Sequence, residues 1–492
     1  MPNAKEDLPS ALSQVQRRAV SELLRVSPVA DELARRFEAA GFSLALVGGS
    51  VRDALLGRLG NDLDFTTDAR PQDVLRIVRP WADAVWEVGI AFGTVGCQKA
   101  KPADGAGGVE EPFQIEITTY RSEAYDRTSR KPEVSYGDSI EEDLVRRDFT
   151  VNAMAVALPA KEFVDPHGGL RDLAAQVLRT PGTPEASFSD DPLRMMRAAR
   201  FAAQLDFEVA PEVLTAMTEM GGRLEIVSAE RVRDELNKLL LSAHPRKGLS
   251  LLVDTGLADH VLPELPALRL ERDEHHRHKD VYEHSLIVLE QAIALEEDGP
   301  DLTLRLAALL HDIGKPRTRR FEKDGRVSFH HHEVVGAKMT KKRMTALKYP
   351  NELVREVTRL VELHLRFHGY GTGEWTDSAV RRYVRDAGPL LSRLHKLTRS
   401  DCTTRNKRKA AALSRAYDGL EERIARLQEQ EELDSIRPDL DGNEIMSTLG
   451  IGPGPMVGRA YGHLLELRLE NGPMEHDAAV AALKEWWAAQ EQ

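Results

Sequence analysis

The chain has 492 residues, with 67 lysines and arginines against 79 aspartates and glutamates, for a formal net charge of −12. This acidic balance argues against a uniform basic coat for nucleic acid and leaves room for local basic patches. Two cysteines make no disulfide framework, and the sequence has no apolar run of about 18 residues that would span a membrane. The length favours about three or four domains. The low cysteine count and the polar start MPNAKEDLPS, which is unlike a signal peptide, lead us to expect a cytoplasmic protein.

The elements predicted along the chain favour an α+β fold. SPVADELARRFEAAG predicts an amphipathic helix that ends at Gly41, and FSLALVGG predicts a strand that enters a turn. Further strands of one sheet are predicted at NDLDFTTDA, DAVWEVG, GTVGCQKA and FQIEITTYR. From about Asp165 onward almost every periodic segment is helical. We therefore expect a small N-terminal head, with a mixed sheet and flanking helices, followed by a long all-α body.

Paired carboxylates on one predicted strand indicate a metal site. Residues two apart in a strand face the same way, so Asp62 and Asp64 share one face while Leu63 and Phe65 enter the core. Glu116 alternates in the same manner in FQIEITT and is a candidate third carboxylate. Anions held together attract a hard cation, and Mg²⁺ is the expected one. A lone D-x-D pair is also common at ordinary strand ends.

A glycine turn lies just upstream of these carboxylates. Gly48, Gly49 and Ser50 stand where a strand gives way to a helix, and the free N–H groups of such a turn hold phosphate oxygens. Phosphate and metal would therefore meet at one place. This is the layout of two-metal phosphoryl or nucleotidyl transfer, in which one ion activates a hydroxyl and the other neutralises the leaving pyrophosphate.

Five ordered motifs in about the first 240 residues carry a family resemblance. GGSVRDALLGRLGNDLDF resembles the signature of the class II nucleotidyltransferases, the family of bacterial tRNA CCA-adding enzymes and poly(A) polymerases. RRDFTVNAMA, DPHGGLRDL, DDPLRMMRAARFAAQL and SAERVRDEL are similar to the later family motifs, in the family's order. The resemblance implies a magnesium-dependent enzyme that uses ATP and CTP.

The fourth motif predicts a way to select the nucleobase. Asp191 and Arg194 lie three apart on a predicted helix and would share a face. A carboxylate accepts from an amino group and a guanidinium donates to a ring nitrogen, so the pair fits adenine and cytosine and rejects guanine and uracil. Outside this motif, a surface ion pair would be the simpler reading.

The family resemblance also implies contacts to the rest of the nucleotide. Asp148 matches a ribose contact, Arg147 a phosphate or base-edge contact, and Arg52 an arginine near the triphosphate. Arg197 and Arg200 would extend a cationic helix face toward the triphosphate. A solvated arginine is the alternative at each basic position.

A polar segment, SEAYDRTSRKPEVSYGDSIEEDL, follows the predicted strands and includes Arg130, Lys131 and Pro132. Its length and charge suggest a mobile loop over the site. In the family such a loop is associated with the switch from C to A addition, which favours full CCA addition. An ordinary surface excursion is the alternative.

Histidines and aspartates in the second half predict a second metal centre. Neutral imidazoles and carboxylates are ligands for divalent transition metals. The pattern resembles the HD phosphohydrolase domain, in which His284, His311, Asp312 and Asp401 match the ligands. His332 and His364 together fit its extended two-metal form. The nearby His275, His276, His278, His330 and His331 leave the choice of ligand open.

Basic clusters on the helical body predict the RNA surface. KPRTRRFEK, KKRMTALK and RNKRKAAALSR supply cations for backbone phosphates, and GIGPGPMVG leads into a helix that offers backbone amides. Each cluster could equally be a solvated helix face. The expected partner is the acceptor arm and 3′ end of tRNA, recognised by shape and charge.

These inferences combine into a predicted tRNA nucleotidyltransferase that adds CCA from CTP and ATP, with a possible phosphohydrolase activity in the HD region. The alternatives are a CC-adding, A-adding or poly(A)-adding member of the family, or chiefly an HD phosphohydrolase. The predicted regions are a helical extension (1–30), a catalytic head (31–160), a neck with base-selecting and RNA-binding motifs (161–265), an HD domain (266–415) and a C-terminal RNA-binding region (416–492).

Overall fold

The computed structural model describes residues 22, 26, 28–87, 89–90, 93–101, 111–122, 135–137, 139–269, 280–323, 327–367, 375–403, 406–431 and 437–490. The chain divides into two compact units, Met1–Val261 and Leu262–Gln492. No helix in these described ranges is both long and apolar enough to cross a membrane. Most of the predicted extension, residues 1–30, lies outside the described residues, and the bounds of the five predicted regions remain predictions.

The first unit contains a seven-stranded mixed sheet. The strands of this unit are β1 (Leu44–Val47), β2 (Asp62–Thr67), β3 (Ala84–Trp86), β4 (Thr94–Lys99), β5 (Phe113–Thr119), β6 (Arg121–Ser122), β7 (Ser135–Tyr136), β8 (Ala155–Leu158), β9 (Glu162–Val164), β10 (Val177–Leu178) and β11 (Glu208–Val209). The large sheet has the order β3-β4-β5-β2-β1-β8-β9. Strands β2 and β5 pair in parallel, and the other neighbours in this sheet are antiparallel.

Helices surround and follow this sheet in the first unit. They are α1 (28–39), α2 (Gly49–Leu55), α3 (Pro71–Val78), α4 (Ile140–Val145), α5 (Gly169–Ala175), α6 (Pro184–Asp190), α7 (Leu193–Leu205), α8 (Pro211–Met220), α9 (Ala229–Leu240), α10 (Pro245–Asp254) and α11 (Leu257–Val261). A 3-10 turn, Thr150–Asn152, lies between α4 and β8, and a 3-10 helix, Gly221–Ile226, follows α8.

The second unit is almost entirely helical. Its elements are α12 (Val281–Ile293), α13 (Leu302–Leu310), α14 (Lys315–Thr318), β12 (Arg320–Phe321), β13 (Val327–Ser328), α15 (His332–Ala346), α16 (Asn351–Leu363), α17 (Asp377–Ala387), α18 (Leu391–Ser400), α19 (Lys407–Glu431), α20 (Gly442–Leu449), α21 (Pro455–Asn471) and α22 (His476–Gln490). The predicted α+β class, with a mixed-sheet head and a helical body, is confirmed. The short antiparallel pair β12–β13 is the one strand pair that the described residues add to this unit.

The alternation predicted for the central strands decides which side chains reach the site. Leu63 and Phe65 on β2, and Ile115 and Ile117 on β5, are fully buried. Each fully buried side chain of this kind contributes about 1.5–3 kcal/mol relative to an exposed one. Shifting either strand by one residue would bury its acidic side chains, so the hydrophobic pattern fixes the register.

The predicted loop between β5 and the RRDFT motif differs in part from the expectation. Its second half forms β7 and α4. Helix α4 starts where the Ser139 side chain accepts a hydrogen bond from the Glu142 N–H, a standard N-cap contact. Arg130, Lys131 and Pro132 lie outside the described residues, so the loop itself remains a prediction.

Candidate active site and candidate metal centre

Three carboxylates meet on the parallel pair β2–β5. Asp64 lies opposite Glu116, and Asp62 lies opposite Gln114. Asp62 and Glu116 are exposed, while Asp64 is half-buried. The predicted shared face is therefore present, and the parallel pairing of the two strands brings Glu116 beside the aspartates.

The environment of Asp64 favours a bound cation. Burial, together with the neighbouring Glu116 and Asp62, raises the pKa of its carboxyl to about 6, although Arg147 and Arg52 oppose the shift. Carboxylates pushed together in this way regain stability when a divalent ion neutralises them. The residues present thus fit the predicted Mg²⁺ site.

The glycine turn is tied directly to the acidic strand. The Ser50 hydroxyl accepts a hydrogen bond from the Asp64 N–H at 2.8 Å and donates to the Asp62 carbonyl at 3.3 Å. Gly48 has φ of 68°, in the left-handed region that favours glycine. The Ser50 side chain therefore holds the turn against β2, in addition to the N–H group that Ser50 contributes to the turn.

Two arginines face the same turn. A Cβ at Gly48 would lie 2.7 Å from Nη1 of Arg147, and one at Gly49 would lie 3.5 Å from Nη2 of Arg52; both would come within 4 Å of Asp64. A side chain at Gly48 would therefore displace the Arg147 guanidinium. The turn backbone, two guanidinium groups and the Asp64 carboxylate therefore converge, as a triphosphate site requires.

These arginines are themselves held in place. Arg52 is buried, donates from Nη1 to Asn152 Oδ1 at 2.7 Å and forms an ion pair with Asp53 at 2.9 Å. Arg147 forms an ion pair with Asp143 at 3.1 Å. Each guanidinium is therefore oriented before any ligand binds.

Asp148 is a buried acceptor. It takes hydrogen bonds from the Phe149 N–H at 2.8 Å, from Asn152 Nδ2 at 2.9 Å and from Arg197 Nε at 2.7 Å. Burial disfavours its charge, but Arg197 and Asn152 outweigh burial and hold the pKa of Asp148 well below its usual range. Both of its oxygens already have protein partners, so its expected ribose contact would have to share them.

Arg200 is engaged inside the first unit. Its Nε donates to Glu235 at 2.5 Å, Nη1 donates to Gln204 at 2.9 Å, and its guanidinium lies 3.8 Å from the centre of the Phe201 ring. Arg197 contacts the same glutamate at 3.8 Å in addition to Asp148. The predicted cationic face toward the triphosphate is thus neutralised in part by Glu235.

The predicted helical placement of the base-selecting pair is wrong. Asp191 follows the end of α6 in an extended conformation, with φ of −142° and ψ of 101°, and α7 begins only at Leu193. The cause is Pro192, because a residue before proline is disfavoured in helical conformation. Asp191 accepts instead from the Leu193 N–H at 3.1 Å and from Arg231 Nη2 at 2.7 Å.

Arg194 stands in the first turn of α7. Its guanidinium donates to Ser187 Oγ at 2.9 Å and to the Arg146 carbonyl. Burial lowers its pKa, while Asp148 and Asp191 oppose that shift. Asp191 and Arg194 are therefore near one another at the junction of α6 and α7, each fixed by separate partners.

The predicted ligands of the second unit converge at helix ends. His311, His364 and Asp401 directly follow α13, α16 and α18, while His332 begins α15 and His284 lies in the first turn of α12. Their donor atoms form two groups, each with all atoms within 4.8 Å of one another. The groups are His284, His311 and Asp401, and Asp312, His332 and His364.

Asp312 links the two groups. Its Oδ2 lies 3.2 Å from His311 Nε2, and its Oδ1 lies 3.2 Å from His332 Nε2 and 3.9 Å from His364 Nε2. One oxygen thus faces each group, the arrangement of a carboxylate that bridges a pair of metal ions.

The backbone sets the histidine tautomers for metal binding. The Nδ1 atoms of His311, His332 and His364 lie 2.7–2.8 Å from the carbonyls of Ala308, Phe329 and Val361. A carbonyl can only accept, so each Nδ1 carries a proton and each Nε2 is the ring atom left to face the centre, where it can offer a lone pair to a metal ion.

Two of these lone pairs have no protein partner. The Nε2 atoms of His332 and His364 are buried without a hydrogen bond to any described residue. Burial lowers the pKa of His364 to about 3, so its ring is neutral. Burial opposes protonation of His311 as well, but Asp312 and Asp401 raise its pKa to about 10, and a bound cation would displace that proton. The residues present fit divalent metal.

The neighbouring histidines are separate from this centre. The side chains of His330 and His331 are 74% and 84% exposed. His275, His276 and His278 lie outside the described residues.

Sequence reasoning missed Lys315 as a residue of this centre. Its Nζ donates to Asp312 Oδ2 at 2.6 Å, and its position three residues after Asp312 was the available signal. Sequence reasoning also missed Arg231, whose Nη2 donates to Asp191 Oδ2 in the first unit.

Comparisons with known proteins agree with this organisation. Residues 44–179 match the poly A polymerase head domain, 206–268 a probable RNA- and SrmB-binding site of polymerase A, and 281–406 the HD domain. The A-adding tRNA nucleotidyltransferase of Deinococcus radiodurans is 37% identical over 432 residues, which cover 86% of this chain and 91% of that protein.

Two further similarities extend the comparison. The CCA-adding enzyme of Streptococcus gordonii is 39% identical over 255 residues, covering 52% of this chain and 59% of that enzyme. The crystal structure of the Bacillus stearothermophilus CCA-adding enzyme in complex with CTP has the same fold, with a TM-score of 0.67, 24% identity and coverage of 96% and 98% of the two chains.

The head, the carboxylate site and the histidine centre together define a nucleotidyltransferase joined to an HD domain. The chain belongs to the class II tRNA nucleotidyltransferases, the family of CCA-adding and A-adding enzymes.

Proposed function

We propose that this protein adds CCA to the 3′ end of tRNA, using CTP and ATP and releasing pyrophosphate. The observation that carries the proposal is the convergence of Asp62, Asp64 and Glu116 with the Gly48–Gly49 turn and its arginines. We place this reaction in the head (31–160) and tRNA binding in the neck and C-terminal region, in the cytoplasm.

The residues divide the work of the transfer. Asp62 and Asp64, assisted by Glu116, would hold Mg²⁺, which activates the tRNA 3′ hydroxyl and neutralises charge on the triphosphate. The N–H groups at Gly48, Gly49 and Ser50, with Arg52 and Arg147, would orient the triphosphate. Asp148 and Arg197 would support the nucleotide through their buried ion pair, and Arg200 would brace the same helix.

Base selection is assigned to the junction of α6 and α7. The Asp191 carboxylate would accept from the exocyclic amine of adenine or cytosine, and the Arg194 guanidinium would donate to the neighbouring ring nitrogen. Guanine and uracil present the opposite pattern and would leave buried polar groups unpaired, which a site of this kind penalises heavily. No nucleic-acid template is then needed.

A second candidate is addition of A alone, favoured by the D. radiodurans relative, an A-adding enzyme that aligns over most of both chains. The test supplies tRNAs that lack CCA, CA or A with CTP, ATP or both, and reads the products on a sequencing gel. CCA addition predicts growth of all three tRNAs. An A-adding enzyme would extend only the tRNA that lacks the final A, and a poly(A) polymerase would extend beyond it.

We further propose that the histidine centre is a divalent-metal phosphohydrolase acting on phosphomonoesters or cyclic phosphodiesters at nucleotide ends. Water would attack phosphorus and one P–O bond would break, leaving an alcohol and a phosphate with one more ionisable oxygen. His284, His311, His332, His364, Asp312 and Asp401 would hold the metal. This activity is tested with Mn²⁺ or Ni²⁺ supplied. The measurement is release of phosphate from nucleoside monophosphates or ring opening of nucleoside cyclic phosphates.

A further inference from the structure

A short antiparallel hairpin emerges between ligands of the histidine centre. Strand β12 pairs with β13 through Arg320 opposite Ser328 and Phe321 opposite Val327. We call residues 315–323 and 327–328 the basic hairpin. It begins three residues after Asp312 and ends four residues before His332. Each end of the basic hairpin therefore lies within four residues of a proposed metal ligand.

The base of the basic hairpin is fixed against the centre. Lys315 Nζ donates to Asp312 Oδ2 at 2.6 Å and lies 5.7 Å from the centre of the Phe329 ring. A Cβ at Gly314 would lie 2.1 Å from the His332 carbonyl oxygen, so the two segments pack as closely as backbone allows. The five residue-to-residue steps from Val327 to His332 span at most roughly 17 Å. The hairpin thus stands within a few nucleotides' reach of the metal ligands.

The composition of the basic hairpin is unlike that of an ordinary surface turn. Among residues 315–323, five are cationic and only Glu322 is acidic, whereas the whole chain carries a net charge of −12. Arg317, Arg320 and Lys323 are exposed. None of these three forms an ion pair with a residue in the ranges that the structure describes. Their charges are therefore available to a ligand.

An exposed aromatic ring stands among these cations. Phe321 is 65% exposed, the largest value among the exposed large hydrophobic side chains of the described residues. The Arg319 guanidinium lies 4.9 Å from the centre of its ring. An aromatic face bordered by arginine is the combination on which unpaired nucleobases stack, while the phosphates contact the surrounding cations.

We propose that the basic hairpin binds the single-stranded 3′ end of an RNA, with a base stacked on Phe321 and the backbone phosphates on Arg317, Arg320 and Lys323. The hairpin would then direct RNA-borne ends, in preference to free nucleotides, toward the histidine centre. The binding step stands on its own; the preference in hydrolysis rests on the proposed phosphohydrolase function.

Hydrolysis of two substrates by the full chain loaded with Mn²⁺ tests this preference. The substrates are a short single-stranded RNA that ends in a 2′,3′-cyclic phosphate, and free 2′,3′-cyclic CMP. The wild type should have the higher kcat/KM for the RNA. In Phe321→Ala the ratio of the two kcat/KM values should fall about fivefold or more, since a stacked base is worth about 1–3 kcal/mol. Phe321→Trp should retain the ratio.

A matched control and a second readout separate the possible outcomes. Phe163 is 41% exposed on β9, and Phe163→Ala should leave the ratio as in the wild type. A single-stranded RNA with 4-thiouridine near its 3′ end should crosslink to the basic hairpin on irradiation, and Phe321→Ala should reduce the yield. Crosslinking without hydrolysis of either substrate would remove the phosphohydrolase function and uphold the binding surface. An unchanged ratio in Phe321→Ala, or crosslinks that bypass the hairpin, would overturn the proposal.

Discussion

Asp64 on β2 lies directly opposite Glu116 on β5, in the one parallel pairing of the seven-stranded sheet. The pairing sets two acidic side chains side by side, and burial raises the pKa of Asp64 to about 6. The folded protein therefore pays a cost in stability for an ionised Asp64 when no cation is bound. Stability and activity should respond to its substitution in opposite directions.

Asp64→Asn should abolish nucleotide incorporation and stabilise the metal-free protein. A rise in pKa from 3.8 to about 6 corresponds to about 3 kcal/mol against the ionised, folded form. That penalty is full above pH 6 and disappears as pH falls toward 3.8. At pH 8, without Mg²⁺, we expect the melting temperature of the variant to rise by roughly 4 °C, measured by scanning calorimetry. Asp62→Asn is the control: it should also lose activity, but its exposed side chain should leave the melting temperature unchanged.

The Mg²⁺ requirement should depend on pH. Protons and Mg²⁺ compete for Asp64, so the apparent affinity for Mg²⁺ should fall as pH falls through about 6. Titration of incorporation against Mg²⁺ from pH 5 to pH 8, with saturating CTP, measures this. An apparent affinity that does not change across this range would contradict the assignment of Asp64 as a ligand.

Arg231 should contribute to nucleotide selectivity through Asp191. Its guanidinium lies 2.7 Å from Asp191 Oδ2, and its side chain is 53% exposed. An exposed pair of this kind is worth about 1 kcal/mol or less, so Arg231→Ala should lower the preference for ATP over GTP by no more than about fivefold. Arg194→Ala should lower it much further. Arg233 lies on the same helix and pairs with Asp234 instead of Asp191. Arg233→Ala should therefore leave selectivity unchanged. Competition between ATP and GTP for tRNA lacking its final A provides the readout.

Glu235 should be important for the stability of the first unit. It is buried and forms an ion pair with Arg200. Glu235→Ala leaves a buried guanidinium without its partner, which costs about 3–5 kcal/mol. Urea denaturation should show this loss, while Glu208→Ala, which removes an exposed partner of Lys247, should cost far less. Equal stabilities of the two variants would show that Arg200 finds another partner.

The histidine centre should bind two ions, one in each ligand group. His332→Ala and His364→Ala should each remove the ion held by Asp312, His332 and His364, because each variant deletes a buried Nε2 atom that would coordinate it. Asp312→Ala should weaken both sites, because its two oxygens face different groups. Metal content after dialysis, measured by mass spectrometry, tests this. His330→Ala, whose side chain is exposed, should bind metal as the wild type does.

Local sequence patterns predicted the parts of the site that depend on neighbouring residues. The two-residue period placed Asp62 and Asp64 on one face, and the His-Asp doublet placed His311 and Asp312 at a helix end. The contacts of Asp191 with Arg231 and of Arg200 with Glu235 join residues 40 and 35 positions apart, so no local pattern contains them. The error at Asp191 was avoidable, because Pro192 disfavours a helical conformation at the residue before it.

Gly314 has a consequence for how this protein can change over evolutionary time. Any side chain there would collide with the carbonyl of His332, and a methyl group alone is enough. The close packing of the segments that carry Asp312 and His332 therefore requires glycine at this position. A saturation library at this codon should return glycine almost alone, whereas Gly299, with open space around it, should accept small polar substitutes such as asparagine that tolerate its left-handed backbone.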